Sequence, residues 1–200
     1  MVPENKPQEL HAVGACTTLR GYANMRPGNS AMSKEATSFT AEGILTELFS
    51  SLKAKVATMI PVERHAALMI NEMQITPGKD YDSSLKKVIG KITVPLAPGS
   101  VSADECATHT FVFMLGGMTS RWKQTVAYEF TGTSSCSAKV KDLTFDLIRK
   151  CESIGLSIVA IITDMGPGNQ GLWRECGITA TKLGKTCVSC EHPCASGSDR

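Results

Sequence analysis

The chain has 200 residues, 42% of them hydrophobic and 20% charged, with a formal net charge of +2. That size supports one well-packed domain of ordinary globular composition, and the small charge does not by itself mark a nucleic-acid binder. No apolar run is long enough to span a bilayer, and Met1-Val2-Pro3-Glu4-Asn5-Lys6-Pro7 lacks the apolar core of a signal peptide. These features predict an intracellular protein without membrane attachment whose eight cysteines are reduced thiols.

Residues 1–38 show little periodicity and are rich in Pro, Gly, Asn, Ser and Thr, which predicts a loose lead-in or a truncated upstream segment. From about Thr40 to Ile60 the residues Ile44, Leu45, Leu48, Phe49, Leu52, Val56 and Met59 recur at helical spacing. Thr40 is the expected N-cap, and Pro61 stops the helix. His65 to Ile75 reads as a buried strand, followed by the turn-rich Thr76-Pro77-Gly78-Lys79-Asp80-Tyr81-Asp82. Lys87 to Val94 reads as a small strand. Thr108 to Leu115 and Gln124 to Phe130 read as an antiparallel hairpin joined by Gly116-Gly117-Met118-Thr119-Ser120.

Ala138 to Gly155 returns to helical spacing through Val140, Leu143, Leu147, Ile148 and Cys151, with Gly155 closing the end. Ser157 to Thr163 is a short apolar, β-branched run that ends on Asp164, and Gly166-Pro167-Gly168-Asn169 opens a second helix. The strong elements thus run strand, strand, strand, helix, strand, helix. A strand reached through a crossover helix should lie parallel to an earlier one. An α/β protein of this βββαβα order, with a mixed sheet preceded by a helix, is the opening half of an RNase H-like fold.

Several segments carry a family resemblance. Asn71-Glu72-Met73, Phe113-Met114-Leu115-Gly116-Gly117, Arg121-Trp122-Lys123-Gln124, Ala127-Tyr128-Glu129-Phe130-Thr131-Gly132, Lys150-Cys151-Glu152-Ser153-Ile154-Gly155 and Thr163-Asp164-Met165-Gly166-Pro167-Gly168-Asn169-Gln170 closely resemble P element transposases and their THAP-domain relatives. The resemblance runs from about residue 40 to 195. It implies an RNase H-like DDE transposase core, DNA transposon ends as partner, Mg²⁺ or Mn²⁺ as cofactor and a nuclear location. In such transposases the first acid stands where this chain has Asn71, the second stands at Asp164, and the third comes from a late helix that this sequence does not reach. The resemblance therefore implies residues 39–180 as an incomplete RNase H-like transposase domain, a fragment or relic without catalysis of its own. A partial chain of an active transposase, or a small zinc or interaction module, are the alternatives.

Asn71 stands where the implied chemistry would need a charged ligand. Two divalent cations that activate the attacking oxygen and stabilise the leaving one need anionic oxygen ligands. An amide supplies a neutral oxygen only. Glu72 is adjacent, but strand neighbours point to opposite faces. Asp164 also has a simpler reading, as the acid that caps the turn into the following helix. Arg121 and Lys123 flank Trp122 at the hairpin tip, where they could meet a DNA backbone or be solvated. Cys187, Cys190, His192 and Cys194 in the 181–200 tail offer four zinc donors, although His192 and Cys194 are closely spaced around Pro193. Finally, Ser157 to Thr163 is expected to lie at an open sheet edge and to promote self-association.

Overall fold

The computed structural model describes residues 9–14, 43–83, 86–94, 104–133, 135–164, 166–179 and 186–195. The strong strands fall where the apolar runs lie. They are β3 (His65–Gln74), β6 (His109–Gly117), β7 (Lys123–Thr131) and β8 (Ser157–Thr163). The helices are α1 (Thr46–Ala57), α2 (Ser137–Ser153) and α3 (Pro167–Glu175). Short strands complete the set: β1 (Glu9–Gly14), β2 (Gly43–Ile44), β4 (Asp80–Asp82), β5 (Lys87–Ile89) and β9 (Ser189–Glu191). The main sheet has seven strands in the order β2-β7-β6-β3-β8-β1-β9, while β4 and β5 pair separately.

As expected, β3, β6 and β7 form an antiparallel meander, and β8 joins β3 in parallel after the crossover through α2. This is a mixed α/β architecture of the RNase H-like type. Leu68, Ile70, Phe111, Phe113, Leu115, Ile158 and Ile161 form the sheet's share of the core. Phe49, Leu52, Val56, Val140, Leu147, Ile148, Leu172 and Trp173 meet them from the helices. α2 ends as its sequence predicts, because Gly155 takes φ +92°, a left-handed conformation that costs glycine little.

Two expectations are corrected around α1. The helix starts at Thr46, and Gly43–Ile44 instead forms an edge strand on β7, because Gly43 at φ +98° breaks the helical path. The expected cap Thr40 lies outside the described residues, and Leu45 occupies the N-cap without a side-chain hydrogen bond. The turn-rich segment after β3 contains β4, paired with β5.

The larger correction concerns β8. It is not an edge strand. β1, from the stretch expected to be loose, lies parallel to it with His11, Ala12, Val13 and Gly14 opposite Ala160, Ile161, Ile162 and Thr163. β9 from the tail then pairs antiparallel with β1, Leu10 standing opposite Cys190. The outermost strands are β2 and β9, two and three residues long, and such short edges are poor templates for pairing with another chain. The expected route to self-association is therefore closed: an unpaired β8 would leave a row of backbone donors and acceptors unsatisfied, and β1 satisfies them.

Candidate functional site

The site is built where two parallel strands end side by side. Ile70 of β3 stands opposite Thr163 of β8. Asn71 and Asp164 each follow by one residue, so the chain leaves the sheet at Asp164 next to Asn71. Parallel neighbours lie about 4.8 Å apart, which is the juxtaposition the fold order predicts.

Asp164 is held by the turn that follows it. Its Oδ1 accepts the Gly166 backbone N–H at 2.9 Å and the Asn169 side-chain N–H at 2.5 Å. Thr163 Oγ1 donates to the Asp164 carbonyl at 2.8 Å. Gly166 is the N-cap of α3 and Pro167 opens the helix, so the carboxylate also faces the positive end of a helix dipole. The turn-capping reading of Asp164 is thus realised. It is compatible with a further role, because the same turn fixes the carboxylate at the strand end.

Two neighbours of Asp164 matter more than the sequence pattern suggests. Asn169 is fully buried, and its Oδ1 has no hydrogen-bond partner. An Asn placed five residues after an Asp, within Gly-Pro-Gly-Asn, was a legible signal for this contact. Glu72 is the other. By alternation it shares the helix-bearing face with Leu68 and Ile70 and not the face of Asn71. There its Oε2 lies close enough to Gly168 of α3 that a methyl group on that glycine would come within 2.8 Å. Burial raises the Glu72 carboxyl above its ordinary value, His109 opposes this, and the charge of Asp164 adds to it. The charges of Glu72 and Asp164 therefore act on each other across the strand ends.

The remaining sequence candidates lie elsewhere. The β6–β7 tip is at the opposite end of the sheet, because Gly117 pairs with Ala66. Five residues of β3 separate that pair from Asn71, roughly 17 Å at about 3.3 Å per residue. Arg121 and Lys123 are exposed there. Trp122 is half-buried, with the Lys55 ammonium 4.9 Å from its ring centroid, so its face is already covered. The four tail residues do not converge. Cys187 donates its thiol proton to the Ser189 carbonyl, Cys190 meets Cys176, and buried His192 turns to Glu152 at 3.5 Å. Among the described residues no three His, Cys, Asp or Glu side chains are grouped so as to hold a metal ion.

Comparison with known proteins agrees with this geometry. Residues 40–177 match the family model described as TNP-like, RNase H N-terminal domain. Over 120 residues the chain is 28% identical to the Transposable element P transposase of Drosophila melanogaster, a match covering 60% of this chain and 13% of that protein. A solved structure, the Drosophila P element transposase strand transfer complex, superposes with a TM-score of 0.57 at 22% identity. The superposition covers 89% of this chain and 36% of that one, so the chain spans only a minor part of the relatives it matches.

Proposed function

Because the chain belongs to the family of TNP-like RNase H N-terminal domains, we propose that it is a transposon-derived, DNA-associated protein that has lost strand-cleaving chemistry of its own. One observation supports this reading: Ile70 pairs with Thr163, so Asn71 and Asp164 follow at neighbouring strand ends, and the family resemblance expects an acid at each of these two positions where this chain has one amide and one carboxylate. We take the transposase-like domain to be residues 39–180; β1 and β9, from the segments on either side of it, join its sheet.

The residues present fit a two-cation site poorly. Oδ1 of Asp164 already accepts two hydrogen bonds, and Asn71 brings no charge to offset two dications. Glu72 sits on the other face of β3 from Asn71, and no third carboxylate joins Glu72 and Asp164 among the described residues. No catalytic step is therefore assigned to Mg²⁺ or Mn²⁺ here. Zinc at the tail has no support either, since its four donors part company. What the chain retains is a rigid α/β platform with exposed cations at the Arg121–Lys123 tip, which would meet a DNA backbone through charge. A nuclear location follows from that partner.

The test is incubation with transposon-end duplex in Mg²⁺ or Mn²⁺. No nicking is expected. Metal-dependent nicking that disappears in Asp164→Ala would overturn the proposal. Asn71→Asp should tighten metal binding yet restore little cleavage. The short span relative to the curated transposase favours a second reading, in which this segment serves a longer active chain. Asn71→Asp within such a longer chain would then raise strand transfer strongly.

A further inference from the structure

Cys176 and Cys190 meet across the seam between α3 and β9. The seam holds an antiparallel bridge, in which Thr179 N–H donates to the Cys187 carbonyl at 3.0 Å and Cys187 N–H donates to the Thr179 carbonyl at 2.9 Å. Three residues outward along the two arms of that bridge stand Cys176 on one side and Cys190 on the other. Cys176 is the C-cap of α3, and Cys190 lies in β9 opposite Leu10. Both are half-buried against the core, and their thiols share a hydrogen bond.

Neither arm is loosely placed. β9 is fixed by its pairing with β1 and by the Ser189 hydroxyl, which donates to Glu9 Oε2 at 3.0 Å. Just beyond it, His192 is buried and accepts the Cys194 backbone N–H at Nδ1, which leaves its Nε2 facing Glu152. On the other arm, Lys141 of α2 donates from Nζ to the Glu175 carbonyl at 2.8 Å, next to Cys176.

We propose that Cys176 and Cys190 are a reversible dithiol pair that closes to an intramolecular disulfide, with a low-molecular-weight disulfide such as oxidised glutathione as oxidant. The environment assigns the order of attack. The hydrogen bond from Cys176 holds the Cys190 thiol below its ordinary range against the effect of burial, and the Lys141 charge helps. The same hydrogen bond and burial push the Cys176 thiol up. Cys190 is therefore the better thiolate and attacks first. It breaks the S–S bond of oxidised glutathione and forms a mixed disulfide, and the first glutathione leaves as a thiolate that takes up the proton Cys190 lost. Cys176 then loses its proton and attacks the Cys190 sulfur, and the second glutathione leaves carrying that proton. Two protein thiols are oxidised and one glutathione disulfide is reduced to two thiols. The product ties the C-terminal end of α3 to β9. The N-terminal end of the same helix carries the turn that holds Asp164.

The experiment uses the full chain, incubated natively in a buffer of reduced and oxidised glutathione. It is then quenched with acid, alkylated, digested and mapped by fragmentation mass spectrometry. The expected major product links Cys176 to Cys190. Cys176→Ser should trap Cys190 as a glutathione adduct, whereas Cys190→Ser should leave Cys176 largely unmodified. The oxidised wild type should melt several degrees higher than the reduced form, a shift that neither variant shows, because the bond closes a loop in the unfolded chain. Alkylation of both Cys176 and Cys190 in the oxidised wild type would overturn the proposal. So would pairing of Cys187 or Cys194 with Cys190 in the same proportion as in urea-unfolded chain. Since the wild type alone decides these outcomes, a misfolded variant does not rescue the idea.

Discussion

Replacing Asn169 with Asp probes the site at its tightest contact. The side-chain N–H of Asn169 donates to Asp164 Oδ1 at 2.5 Å, and Asn169 is fully buried. Asn169→Asp removes that donor and sets two carboxylates against each other. A hydrogen bond to a charged group contributes about 1.5–3 kcal/mol. Two unit charges about 4 Å apart near a protein surface repel by about 4 kcal/mol. The substitution should therefore cost at least about 4 kcal/mol at pH 7, lowering the thermal midpoint by roughly 8–16 °C for a chain of this size. Asn169→Ala is the control. It loses the same donor but also removes Oδ1, whose burial without a partner is itself unfavourable, and it leaves Asp164 bonded to Gly166 N–H. Its cost should stay within about 2 kcal/mol. The two variants also differ in pH dependence. In Asn169→Asp the like charges raise the pKa of one carboxyl in the folded state, so the folded form binds the extra proton. Its stability then falls as pH rises through that raised pKa and returns in acid. Urea unfolding followed by circular dichroism at pH 7 and pH 4.5 measures both effects. An Asn169→Asp chain as stable as Asn169→Ala at pH 7, or one that gains nothing relative to wild type in acid, would refute the assigned contact.

Glu72→Gln should stabilise the protein at neutral pH. Burial raises the Glu72 carboxyl in the folded state, so its ionisation opposes folding above that pKa, and the gain should fade as pH falls below the ordinary value of 4.5; a gain independent of pH would contradict this. Glu152→Ala removes the acceptor of the Ile158 N–H and the partner of His192. Leaving the buried Ile158 N–H without its acceptor should cost about 1–3 kcal/mol, and a thermal midpoint within 2 °C of wild type would count against this contact. Leu10→Ala should cost about 2–5 kcal/mol, because Leu10 is fully buried in a strand that flanks β8; a cost under about 0.5 kcal/mol would mean that β1 does not cover β8. If β1 does cover it, light scattering should show wild-type chain as a monomer and Leu10→Ala as associated.

Much of this molecule was legible in local pattern. The short apolar runs at Ala66–Ile70 and Ile158–Ile162 read as buried strands, and the stripes through Phe49–Val56 and Val140–Cys151 read as packing helices. Both are properties of consecutive residues. The order of these elements, with a helical crossover before β8, forced the parallel pairing of β3 with β8 and so brought Asn71 beside Asp164. The Gly-Pro-Gly turn likewise announced how Asp164 would be held. Other features could not be read this way, because they depend on partners distant in sequence. Glu9–Gly14 is too short and too mixed to declare itself a strand. It becomes one because β8 has unpaired backbone groups that some extended segment must satisfy, and only the folded sheet selects which. Ile44 belongs to the helical apolar stripe, yet together with Gly43 it pairs with β7. The same dependence on the fold sends Glu72 to the face of α3, buries His192 against Glu152 and brings Cys176 to Cys190. In each case the residue type offered several partners, and the tertiary structure chose one because burial leaves a polar or reactive group few others.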